Sequence, residues 1–128
     1  MKKLVMIVAA LITVGLVLSS CYKDIIHPGA DPNGPPQQVS FGGDLMPIFN
    51  KSCNNSGCHD AVPTKKPALT ADKAYNALTS GGYVNTINPA SSSLYLSVKE
   101  NSMPIGSSLS AAEKQKILDW IRIGAPNN

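Results

Sequence analysis

Apolar positions along the chain fall into three regimes. An uncharged apolar run of 15 residues, Leu4 to Leu18, opens it. From Tyr22 to Gly43 proline, glycine and glutamine take over, at Pro28, Gly29, Pro32, Gly34, Pro35, Pro36, Gln37 and Gln38. Beyond Asp44 large apolar side chains return three and four apart: Leu45, Met46, Ile48 and Phe49, then Ala74, Tyr75 and Leu78, then Leu94, Tyr95 and Val98, and finally Ile117, Trp120 and Ile121. This is helical spacing, and no segment sustains period-two alternation. The pattern predicts an all-α domain of three to five short helices.

Start and stop signals sharpen the prediction. Asp44 can cap the first helix, with Pro47 in its first turn, where a missing backbone donor costs little. Thr70 is the expected cap of the second, which ends at Gly81-Gly82. Asn88-Pro89 is a cap followed by proline at the first helical position of the third. Lys99 to Leu109 forms a loop containing Met103-Pro104 and Gly106-Ser107-Ser108. The last helix carries the fullest set of signals: Ser110 and Glu113 form a capping box, Arg122 lies in the last turn, and Gly124 with Pro126 ends it.

The N-terminal run is short for a membrane span and right for a secretory signal, with Lys2 and Lys3 as its basic flank. Leu18-Ser19-Ser20-Cys21 resembles the bacterial lipoprotein box, which implies a signal peptide over 1–20 and lipidation of Cys21. The alternative is an ordinary signal peptide with Cys21 as an odd thiol. Lipidation attaches the chain to a membrane in the bacterial cell envelope. Tyr22, where an aspartate often retains such proteins at the inner membrane, favours the periplasmic side of the outer membrane. Residues 21–43 are then a Pro/Gly-rich tether too poor in apolar residues to bury a core, and 44–128 the folded domain. Fully extended, 22 residues of tether reach roughly 70 Å. Asp31-Pro32-Asn33-Gly34 is turn chemistry rather than a calcium loop.

Charge excludes one class of partner. The chain carries 11 basic and 8 acidic side chains, a formal net charge of +3. Without Lys2 and Lys3 the balance is nine against eight, or +1, which is no electrostatic footprint for nucleic acid. Lys65, Lys66 and Lys73 form either a small positive patch for a redox partner or a solvated face.

Chemistry concentrates in Cys53-Asn54-Asn55-Ser56-Gly57-Cys58-His59. Two thiols followed directly by an imidazole is the order that covalent attachment of haem c needs: each thiol adds across a vinyl group and His59 ligates the iron. The usual loop has two residues between the cysteines, and here there are four. The extra pair must bulge out at Asn54 to Gly57, which are good turn residues. A plain disulfide across the loop is one alternative and half of a zinc site another. His27, beside Pro28 in the tether, is a poor fixed ligand. A domain of about 83 residues, Asp44 to Pro126, has a thin apolar core that alone supplies roughly 3 to 5 kcal/mol. A haem would staple it, whereas a disulfide closing so small a loop would restrain the unfolded chain little. Met103 lies 44 residues after His59, enough chain to wrap the ring and supply the sixth ligand. Core filling is its alternative. Met46 is too close to the cysteine loop to reach the opposite face.

The stretch Met103-Pro104, Gly106, Leu109-Ser110, Glu113, Ile117, Trp120-Ile121 and Gly124-Ala125 resembles the C-terminal half of small bacterial monohaem cytochrome c domains. Pro47-Ile48-Phe49 and Ser93-Leu94-Tyr95 are similar to the same family, so the likeness spans residues 44 to 126. The resemblance implies a class I cytochrome c-like helical fold around one covalently bound haem, with His59 and Met103 as axial ligands. The longer cysteine loop departs from the family and bears on whether both thioethers form. The function implied is electron carriage between redox donor and acceptor proteins by a membrane-tethered carrier. A haem peroxidase-like enzyme with an open sixth site, and a haem-free lipoprotein with a structural disulfide, are the alternatives.

Overall fold

The computed structural model describes residues 31–128. The expected signal peptide, the candidate lipidation site Cys21, His27 and the first part of the expected tether lie outside them. The described residues are all-α: four helices and no strand. A π turn, Phe41–Leu45, runs directly into α1, Met46–Ser52. α2 spans Ala74–Ser80, a 3-10 turn Pro89–Ser91 leads to α3, Ser93–Lys99, and α4, Ala111–Arg122, is the longest. None of these helices is long and apolar enough to cross a membrane.

The packed region begins before Asp44. Val39 and Phe41, expected in the tether, are 4% and 3% exposed and belong to the core. Phe41 is the hub of an aromatic cluster, with ring centroids 5.2 Å from Trp120, 5.3 Å from Tyr75 and 6.2 Å from Phe49. One large ring in a proline-rich setting recruits the end of the tether because edge and tilted aromatic contacts add to the area it buries.

Helix entry is corrected accordingly. Ser40, not Asp44, is the cap: its Oγ accepts from the Gly43 N–H, and Asp44 Oδ2 accepts from the Ser40 N–H in return. The wider turn that follows sits just ahead of Pro47, whose ring would clash with the carbonyl of a regular preceding turn. Asn128 closes the other side, its side-chain oxygen accepting from Phe41 N–H and its carbonyl from Gly42 N–H.

α2 begins at Ala74 rather than next to Thr70. The Thr70 carbonyl accepts from Lys73 and Ala74, while its hydroxyl donates to Asp72 and caps no backbone group. α4 follows its signals: the Ser110–Glu113 box is reciprocal, and Ile117, Trp120 and Ile121 are fully buried. The π turn, α3 and the 3-10 turn all pack against α4. Two ion pairs, Lys51–Glu113 at 3.2 Å and Lys116–Asp44 at 2.8 Å, bind the N-terminal helical segment to it. Among the described residues no buried side-chain polar atom lacks a partner.

Candidate functional site

α1 delivers the chain to Cys53, whose N–H and that of Asn54 both donate to Phe49 O, at 2.8 and 2.9 Å. The helix therefore ends with a doubly used carbonyl and the loop departs. Cys58 N–H donates to Asn55 O at 2.9 Å, a tight turn in which Gly57 takes φ +78°, a conformation glycine adopts without the usual Cβ penalty. Asn55, Ser56 and Gly57 are exposed, so these are the residues that bulge.

Asn54, by contrast, is half-buried. Its amide donates to Asn50 Oδ1 at 2.6 Å and to Leu69 O at 3.5 Å, tying α1 to the far end of the loop. Asp60 braces the turn, accepting from Gly57 N–H and Val62 N–H.

His59 is held at three points. Its N–H donates to Cys53 O at 3.2 Å, its carbonyl accepts from Leu69 N–H at 2.7 Å, and its Nδ1 lies 2.8 Å from Pro67 O. A carbonyl only accepts, so Nδ1 carries a proton, and in the neutral ring Nε2 is the nitrogen with the lone pair. Leu69, 4% exposed, anchors this segment in the core. Lys73 steadies the outer part, its Nζ donating to Ala61 O at 2.9 Å. Lys73 stays exposed, as are Lys65 and Lys66, and a neutral carbonyl leaves its charge unpaired.

The two thiols differ. Cys58 is exposed, Cys53 half-buried, and they are not joined. Burial, followed by the charge of Cys58, pushes the Cys53 thiol up to about 11. Among the described residues no three His, Cys, Asp or Glu side chains gather to hold a metal ion.

Met103 sits in the loop between α3 and α4, half-buried and outside the core cluster that takes in Met46. That separation weighs against Met103 as core filling. Its N–H donates to Ser97 O at 3.0 Å, and Ser102 Oγ uses the same carbonyl. Among the described residues no hydrogen bond joins this loop to the cysteine loop, but this loop and α1, which leads into the cysteine loop, both contact the first turn of α4. Lys114 Nζ donates to Asn101 Oδ1 at 2.6 Å, and Glu113 pairs with Lys51 of α1.

Asp60, Pro67 and Leu69 were not foreseen as parts of the site, and Asn54, expected to bulge out with the turn, is instead bonded to Asn50 and Leu69. Pro67 and Leu69 act largely through backbone groups, which leave no residue-type signal. Compared with known protein families, with curated proteins and with solved structures, the chain matches none.

Proposed function

We propose that this chain is a membrane-tethered monohaem c-type cytochrome, an electron carrier on a cytochrome c-like helical fold. The single observation that carries the reading is the setting of His59. Its ring is held through Nδ1 by the Pro67 carbonyl, which makes Nε2 the ligating nitrogen of the neutral tautomer, directly after a thiol in a loop closed on Cys53. A metal-ligating imidazole needs this kind of outer hydrogen bond, which sets the tautomer and raises the basicity of the ligating nitrogen.

The donor set fits haem c: Cys53 and Cys58 would hold it as thioethers, His59 and Met103 through its iron. When bound, that group supplies a one-electron ferric–ferrous couple. Cys58, exposed beside His59, is the accessible anchor, and Cys53 at the end of α1 the more protected one. Met103 would offer the iron a soft, neutral thioether, a ligand type that favours the ferrous state. Lipidation at Cys21 would place the carrier in the bacterial cell envelope, on the periplasmic side of the outer membrane, between redox donor and acceptor proteins.

The test is a haem stain on a denaturing gel with intact mass of the mature chain from a host that attaches haem c. A stained band carrying the mass of one haem is expected. A colourless chain with free or disulfide-bonded Cys53 and Cys58 would replace the reading with a haem-free lipoprotein.

A further inference from the structure

Gln115 and Asp119 are only 8% and 2% exposed, although helical geometry puts them, with Arg122, on the side of α4 opposite Ile117, Trp120 and Ile121. Positions i, i+4 and i+7 form one polar row, and on the outer face of a surface helix such a row is normally solvated. Here it is fully engaged. Asp119 Oδ1 accepts from Gln115 Nε2 at 2.9 Å and from Arg122 Nη1 at 3.0 Å. The same two side chains reach outward: Gln115 Nε2 donates to Asp31 O at 3.2 Å, and Arg122 Nη2 donates to Gly34 O.

Asp31 and Gly34 are the two ends of a turn. Gly34 N–H donates to Asp31 O at 3.2 Å and Asn33 N–H to Asp31 Oδ1 at 3.0 Å. The turn therefore offers α4 two carbonyls from a preformed unit, and Pro35 and Pro36 stiffen the chain that follows. From there it runs to Val39 and Phe41 in the core. The segment is thus attached at both ends.

We propose that residues 31–38 are a strap docked on the outer face of α4, and that this docking fixes which side of the domain its membrane anchor faces. The strap itself stands on the contacts above, and the orientation rests on the lipid-anchor reading. Ten residues, 21–30, separate the strap from Cys21, a span that reaches at most roughly 35 Å fully extended, against roughly 70 Å for a tether that ends at Gly43. The exit point lies on the Gln115–Arg122 face of α4, so the shorter leash draws that face towards the membrane.

The test uses the mature chain beginning at Cys21, prepared with and without acylation. Without acylation, 15N relaxation should give the Gly34 amide an order parameter near the roughly 0.85 of rigid backbone. Arg122→Lys keeps a cation for Asp119 but loses the planar fork that also reaches Gly34 O, and should drop that value below about 0.6. A wild-type value already below about 0.6 would overturn the strap. On vesicles carrying a paramagnetic lipid, the acylated wild type should broaden amides on one side of the domain only. Replacing 31–38 with a glycine–serine stretch, which leaves the α4 side chains in place, should spread the broadening over all sides. Uniform broadening in the wild type would overturn the fixed orientation. Failure of the acylated chain to bind vesicles would overturn the anchor and the orientation, with the order parameter still reporting on the strap.

Discussion

His59 Nδ1 and the carbonyl oxygen of Pro67 are 2.8 Å apart, and this pairing decides which imidazole nitrogen is free to ligate. His59→Ala should abolish stable haem-loaded protein, and so should Cys58→Ala, because the adjacent residues act as one anchor. Cys53→Ala should leave a partly assembled single-thioether form. Haem stain and intact mass distinguish the three. In the haem-free chain His59→Ala should cost only on the order of 1 kcal/mol, the worth of one hydrogen bond, so loss of haem would not be a loss of fold.

Met103→Ala should lower the reduction potential, within the roughly 0.8 V over which axial ligands tune haem, and open the iron to carbon monoxide. The wild type should take up carbon monoxide poorly. Ready uptake by the wild-type ferrous protein, or useful peroxide turnover, would move the assignment to a peroxidase-like enzyme.

The thiols should alkylate in order. In haem-free chain near pH 8, Cys58 should react first and Cys53 lag, since burial raises the Cys53 thiol to about 11 and a thiolate is the reacting species. Its folded value lies above its ordinary 9.0, so the folded state holds that proton more tightly. The associated stability is complete below pH 9 and lost as pH rises towards 11. Peptide mass mapping of alkylation against pH checks the order. Equal rates for the two thiols would contradict the burial of Cys53.

Acid should loosen the seam between the N-terminal segment and α4. Asp44 is held below its ordinary value by Lys116 and then by the Ser40 N–H, and Glu113 by the Ser110 N–H, the Ser110 hydroxyl and then Lys51. Depressed carboxylates stabilise the fold above their unfolded values, so this contribution is lost as pH falls below about 4. Glu113→Gln should flatten that acid limb in thermal melts taken between about pH 5 and pH 2, modestly because the paired lysines are exposed and solvent screens the pairs. Ser110→Ala, which removes the cap, should cost about 1 kcal/mol at neutral pH, or roughly 4 to 8 °C in a domain of this size.

Phe41→Ala should cost about 3 to 5 kcal/mol, comparable to everything a small core supplies. A chain starting at Asp44, which also lacks Val39, should therefore fail to fold without haem, whereas one starting at Asp31 should fold. Fluorescence of Trp120, the chain's single tryptophan, reads the difference directly because Phe41 lies against it.

Side-chain patterns made α4 legible in the sequence down to its capping box, since Ser110, Glu113 and the Ile117, Trp120, Ile121 face are local signals within one helix. The chemistry-bearing residues Cys53, Cys58 and His59 were legible as a spacing. Their supports were not, because the Pro67 and Leu69 contacts run through backbone groups. The outer face of α4 misleads for another reason: Gln115, Asp119 and Arg122 have the composition of a solvated face, and only the distant turn at Asp31 to Gly34 buries their hydrogen bonds. Phe41 failed as a tether residue because a single aromatic among glycines carries no periodicity.

The Arg122 contact to Gly34 also defines a path for mechanical load. A tug on the chain ahead of Asp31 meets the Gln115 and Arg122 side chains first and is delivered to α4 through their hydrogen bonds. Only after that turn peels away does tension reach Val39, Phe41 and the Ser40 cap, which Asn128 clasps from the other side. The segment from Cys53 to His59 comes later still, beyond α1. Forces on the leash are thus borne by the last helix, and the loop that would grip a cofactor is the part they disturb last.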